Sequence, residues 1–155
     1  MRVEPISALD LRLGGEGWAF AEREQARIGA HWREISSRNP RIWNGEVLIC
    51  TGFGLEREVL TARFAQTDYA SFIAWRDWGW PDQSVRNCFG APAVFSSDGA
   101  LVFGVMAPHT LNGNMLYPPS GSLEPRDVRD DGTVDVLGSI TTELMEETGL
   151  DVAAA

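Results

Sequence analysis

The chain has 155 residues, 44% of them hydrophobic and 10% aromatic, with 16 glycines. That is enough for one domain with a real core, since domains of ~100 to 150 residues are the commonest size. There is no lysine, and a net charge of −9 argues against a protein that tracks nucleic-acid phosphates. No run approaches the ~18 apolar residues of a membrane helix.

The amino terminus, "MRVEPISALDLRL", lacks the apolar core of a signal peptide, so a cytoplasmic location is expected, away from membranes. From Gly17 to about Ser37, Trp18, Ala21, Ile28, Trp32 and Ile35 recur at helical intervals, and Asn39-Pro40 is a stop signal. His31 reads as a surface or packing residue because no second ligand lies at helical spacing. "EVLICTGFGLEREVLTARF" reads as two β-type runs around a Gly-containing turn, a hairpin.

Thr67 or Asp68 then caps a short helix, "DYASFIAWRDW", that Gly79 closes. Trp75, Trp78 and Trp80 read as core, with stacking on a base as the alternative. "APAVFSSDGALVFGVMA" gives two apolar runs joined by Asp98-Gly99, the strongest short hairpin signal in the chain. A polar loop holding His109 follows, then "MLYPPSGSLEP", a short strand running into a turn. Cys50 and Cys88 lack metal or disulfide spacing and read as free thiols.

The acidity is local. Between Gly121 and Asp151 there are nine acidic residues against Arg126 and Arg129, a balance of −7 that leaves only −2 of the chain's −9 elsewhere. "DVRDDG" looks like the start of a calcium loop, but Arg129 and Gly138 fall where oxygen ligands are required. A final helix starts between Asp135 and Ser139 and ends at Gly149.

On a helical projection Val136, Leu137, Ile140 and Leu144 form an apolar stripe, with Glu143, Glu146 and Glu147 beside it and Glu147 turned into the stripe's own sector. Anions in a last turn oppose the helix dipole by ~0.3 to 1 kcal/mol each, and like-charged neighbours cost ~0.2 to 0.5 kcal/mol per pair. A divalent cation between the carboxylates reverses the sign of those repulsions. The helix is therefore expected to be a metal platform, with a merely solvated acidic face as the plainer reading.

"ELMEETGL", from Glu143, and the upstream "PSGSLEPRD" together resemble the signature of the Nudix hydrolases, with Gly121 as its glycine and Asp127 in place of its first glutamate. The resemblance covers Ala91 to Val152. It departs in two places: Thr142 stands where the signature has arginine, and the gap from Asp127 to Thr142 is seven residues longer than the strict spacing.

The resemblance implies an α/β (α+β) fold, a Nudix-type α/β/α sandwich with a mixed sheet. Residues 1-85 would be an N-terminal helix and hairpin extension and residues 86-155 the front portion of the Nudix domain, cut short after the signature helix. It implies a metal-dependent pyrophosphohydrolase cleaving a nucleoside diphosphate linked to another moiety. A loose similarity in layout around "RNPRIWNGEVLICTGF" and "YASFIAWRDWG" to a UDP-glucose-cleaving branch ranks nucleotide sugars first.

The expected cofactor is Mg²⁺ or Mn²⁺, held by Glu143, Glu146 and Glu147, with Glu143 and Glu146 as the catalytic pair and Glu143 one candidate base. The backbone at Ser120 and Gly121 is expected to approach the diphosphate. The expected partners are this small molecule and, as a homodimer, a second copy of the chain; neither nucleic acid nor membrane is expected. The alternative is a non-catalytic Nudix-fold module that binds a nucleotide as a sensor.

Overall fold

The computed structural model describes residues 3–108, 110 and 113–151; the loop residue His109 lies outside them. Among the described residues the fold is a mixed α+β arrangement of a small mixed sheet and four helices. Strands β1 (Ala8–Leu13), β2 (Glu46–Glu56) and β3 (Val59–Asp68) form a sheet in the order β1-β3-β2, with β1 parallel and β2 antiparallel to β3. No described helix is long and apolar enough to cross a membrane.

Successive side chains of a strand point to opposite faces, and here each face has its own core. Ile49 and Ala65 face a cluster with Trp18, Phe20, Ile28, Ala74 and Trp75, contributed by helices α1 (Ala19–Arg23), α2 (Gln25–Arg38) and α3 (Tyr69–Asp77) and the residue ahead of α1. Their neighbours Leu48, Cys50 and Phe64 face a second cluster with Leu11, Leu123 and Val134. The outer edge of β2 takes backbone bonds from the later chain: Leu48 N–H donates to Leu123 (2.8 Å), and Cys50 exchanges bonds with Arg86 (3.0 and 2.8 Å). Residues before and after position 85 thus meet in the second cluster.

The expected N-terminal helix is two helices, broken at Glu24, whose φ of −97° and ψ of 9° leave the helical region. The expected hairpin forms, but its turn is Arg57-Glu58, both in the left-handed region at φ 50° and 64°. The glycines lie inside β2, where pairing shifts between Cys50 and Gly52, a bulge of the kind an interior glycine accommodates. Strand β1 carries no helical periodicity, and its partner lies some fifty residues away.

Helix α3 is capped as its sequence predicts. The Asp68 carboxylate accepts from Ser71 N–H, and Gly79 follows at φ 77°. The Asp98-Gly99 turn also forms, with Gly99 at φ 84° and Ser96 N–H bonded to Ala100. Its apolar arms make only one bridge, Phe95 to Leu101, and both residues stay exposed. A second, two-stranded sheet pairs β4 (Gly104–Val105) with β5 (Leu116–Tyr117). Helix α4 (Val136–Thr148) is capped by Asp135, which accepts from Gly138 N–H, and closed by Gly149 in the left-handed conformation.

Candidate functional site

The segment from Pro118 to Asp127 brings two turns of chain against α4. Glu124 N–H donates to the Asp127 carboxylate (2.8 Å), and Asp127 N–H returns a bond to Glu124 C=O (2.9 Å). These two bonds close a 3₁₀ turn at Pro125–Asp127 and fix where Arg126 leaves the backbone. Asp127, the residue aligned with the signature's first glutamate, is thereby engaged in holding its own turn.

Arg126 sits among three carboxylates. Its Nε lies 3.2 Å from Glu124, its Nη2 3.1 Å from Glu143 and its Nη1 3.5 Å from Glu146. Their fields, that of Glu124 foremost, raise its pKa further above its ordinary value. The pairings differ in exposure: the Glu143 side chain is 14% exposed, those of Arg126 and Glu146 49% and 55%.

Glu143, rather than Glu147, is the glutamate turned inward. Of the projected stripe, Leu137 is 66% exposed, and the buried residues of α4 are Ser139 and Leu144. Burial raises the Glu143 pKa, Arg126 opposes that shift, and the charges of Glu146, Glu147 and Glu124 add to it. Glu147 is exposed, and its Oε2 accepts the Ser120 N–H at 3.0 Å.

Gly121 lies directly against Glu143. A Cβ at residue 121 would collide with the Glu143 carboxylate, so the carboxylate keeps its observed place only beside a glycine. Ser120, Gly121, Glu143, Glu146 and Glu147, all singled out in the sequence, are thus brought into one neighbourhood. Arg126 is the addition. Sequence showed an arginine missing at Thr142, which is exposed on α4, but not that another would arrive from the loop.

Two hollows flank this loop. One, of about 320 Å³, is lined by Trp43, Tyr69, Gly121, Arg126, Glu143 and Glu146 among others. The other, of about 370 Å³, is lined by Tyr69, Phe72, Trp80, Asn87, Phe89 and Tyr117 together with Ser120, Gly121 and Ser122. They share Tyr69, Gly121 and Ser122. Trp75 is buried, as a core residue should be, whereas Trp80 is 41% exposed, sits at φ 61° and meets Trp75 edge-on at 4.3 Å between ring centres.

Among the described residues no three His, Cys, Asp or Glu side chains are gathered closely enough to hold a metal ion. Glu124, Glu143 and Glu146 converge instead on the Arg126 guanidinium, and Glu147 is taken by the Ser120 N–H. Comparison with family models and with curated proteins gives no match, so the chemistry of the site is argued from its residues.

Proposed function

We propose that the chain is a metal-dependent pyrophosphohydrolase of the Nudix type, acting on a nucleoside diphosphate linked to another moiety, with nucleotide sugars the first class to test. The observation that carries this reading is the closure of the Ser120-Gly121 loop on Glu143 and Glu147. That contact joins the two halves of the signature which the sequence resembles. The Nudix-type sandwich is part of the same proposal.

In this reading Glu143, Glu146 and Glu147 hold Mg²⁺ or Mn²⁺, which when bound supplies Lewis-acid activation of the diphosphate and of water. The chain's own residues do the positioning. Gly121 and Ser122 border both hollows and Ser120 the aromatic one, so a diphosphate lying along them would have the carboxylates on one side and the aromatic hollow on the other. A nucleoside base is planar and fits beside rings such as Trp80 and Phe89, where stacking is worth ~1 to 3 kcal/mol per base. Glu143, whose pKa burial raises against the opposing charge of Arg126, is one candidate for the general base.

A second reading has one observation in its favour: Arg126 already neutralises Glu143 and Glu146, as it would in a module that binds nucleotides without cleaving them. Incubating the protein with a panel of nucleotide sugars, with Mg²⁺, with Mn²⁺ and with chelator, separates the two. Metal-dependent release of a nucleoside monophosphate supports the hydrolase; binding with no turnover in any metal supports the module.

A further inference from the structure

We infer that the aromatic hollow is a ligand site in its own right, in which Tyr69 and Arg76 hold a phosphate and Trp80 stacks against the planar ring attached to it. Its ligand is a nucleoside monophosphate, or that half of a larger nucleotide, held without a metal. The inference rests on the nucleotide reading above and deepens it, by giving the nucleotide donors of the chain's own that stand apart from the carboxylates.

The charge of the lining selects an anion. In a chain of net charge −9, this hollow of about 370 Å³ is bordered by Arg76 and, among the described residues, by no aspartate or glutamate. Its neighbour across Gly121 and Ser122 is bordered by Glu46, Glu124, Glu143 and Glu146 against Arg126. A phosphate is repelled from the second and received by the first. The donors of the first are also unspent. Arg76 gives Nε and Nη2 to Asp77 at 3.0 and 2.9 Å, which holds the guanidinium and leaves Nη1 without a partner among the described residues. The hydroxyls of Tyr69 and Ser122, on the same lining, likewise have no partner among them. Donors without acceptors suit phosphate, whose oxygens accept, and bonds to an ionised acceptor are the stronger kind. Burial raises the Tyr69 pKa against the opposing charge of Arg76, so the hydroxyl keeps the proton it would donate.

The rings are set for a flat ligand. Tyr69 stacks on Phe72 with 6.0 Å between ring centres and meets Trp32 edge-on at 6.3 Å, which fixes the ring that carries the hydroxyl. Trp80 is held at φ 61°, a conformation that a bulky residue adopts only under strain. Its N–H bonds to Trp75 C=O at 2.9 Å, its ring leans edge-on against Trp75, and the residue stays 41% exposed beside the hollow. Packing alone does not call for a strained backbone under a half-exposed ring, whereas a stacking platform does.

The test is calorimetric titration in chelator, with uridine and adenosine monophosphates, the two nucleosides and inorganic phosphate as probes. It is run on the wild-type chain, Tyr69→Phe, Arg76→Gln and Trp80→Gly, with thermal melting of each. Wild type should bind a monophosphate roughly tenfold more tightly than its nucleoside or than phosphate alone. Tyr69→Phe keeps the ring contacts and should melt like wild type, bind the monophosphate roughly tenfold more weakly and bind the nucleoside as before. Arg76→Gln should erase the preference for monophosphate over nucleoside. Trp80→Gly relieves the positive φ and should weaken nucleoside and monophosphate alike. Monophosphate affinity unchanged in both Tyr69→Phe and Arg76→Gln would overturn the site. So would metal-dependent turnover of nucleotide sugars by a wild type that binds no monophosphate in chelator, a result that leaves the hydrolase standing. Binding that these substitutions weaken, with no turnover in any metal, upholds the site and removes the hydrolase; neither binding nor turnover takes both down.

Discussion

Substituting Gly121 by alanine separates the site from the fold. The added Cβ would overlap the Glu143 carboxylate, the far end of a side chain that can rotate, so the backbone need not move. Gly121 is absent from the residues with positive φ, and replacing a glycine by alanine at such a position stabilises by about 0.4 to 1 kcal/mol through the unfolded chain. Against this stands loss or weakening of the Arg126–Glu143 pair. Because Arg126 is half exposed, the loss is closer to the ~0.2 to 1 kcal/mol of a solvated ion pair than to that of a buried one. The two terms nearly cancel, and melting followed by circular dichroism should show Gly121→Ala within about 1 kcal/mol of wild type. Turnover should fall on the order of 100-fold, the effect of displacing a reacting group by about an ångström. Undiminished turnover would show that Glu143 need not occupy its observed place. Destabilisation beyond about 2 kcal/mol would show that the loop has no room to adjust and that the glycine serves the fold.

Glu146→Gln and Glu147→Gln should each lower metal-dependent turnover on the order of 100-fold or more while leaving the metal-free melting temperature nearly unchanged, since each removes a like-charge repulsion and the exposed Arg126–Glu146 pair lost in the former is worth no more than about 1 kcal/mol; the amide oxygen of the latter can still accept the Ser120 N–H. Asp82 accepts the Trp18 indole N–H at 2.9 Å and two bonds from Ser84. Burial pushes its pKa up, but these bonds and Arg23 outweigh it and the net shift is down. Its stabilisation is therefore present above the ordinary aspartate range and disappears as pH falls through the lowered folded value. Asp82→Asn should cost about 1 kcal/mol at neutral pH, measured by urea unfolding, and the gap from wild type should close in acid. Thr142→Arg places a cation one turn from Glu146 on an exposed face; it should shift stability by less than about 0.5 kcal/mol and leave turnover near wild type or above it, and abolished activity would mean that substrate needs the space at Thr142.

Local signals survived folding where their geometry was local. Asp68 and Gly79 bound α3, and Asp135 and Gly149 bound α4, because caps satisfy groups within a few residues of themselves. Signals that depended on a distant partner were not readable. β1 pairs with β3 and with the distant Gly132–Val134 stretch, and the apolar arms flanking Asp98-Gly99 read as strands although only a bridge joins them. The hairpin turn was assigned to glycine because glycine is the usual occupant of left-handed φ; Arg57 and Glu58 adopt it instead. Ser120 and Gly121, singled out by the resemblance, lie against Glu147 and Glu143. Arg126 had no such signal.

The departure at Thr142 therefore has a spatial as well as a linear side. A signature arginine beside the first helical glutamate and a loop arginine opposite it both bring positive charge to the same carboxylate, but they differ in what else moves with them. A residue on α4 is carried by the helix and keeps its distance from Glu143 whatever the loop does. Arg126 belongs to the segment that also contains Ser120 and Gly121, the residues that touch Glu147 and Glu143. Any shift of that segment changes the loop's fit against the helix and the charge delivered to it together. The electrostatic state of Glu143 is in this way tied to the position of the loop on which a diphosphate would lie, a coupling that an arginine at position 142 could not provide.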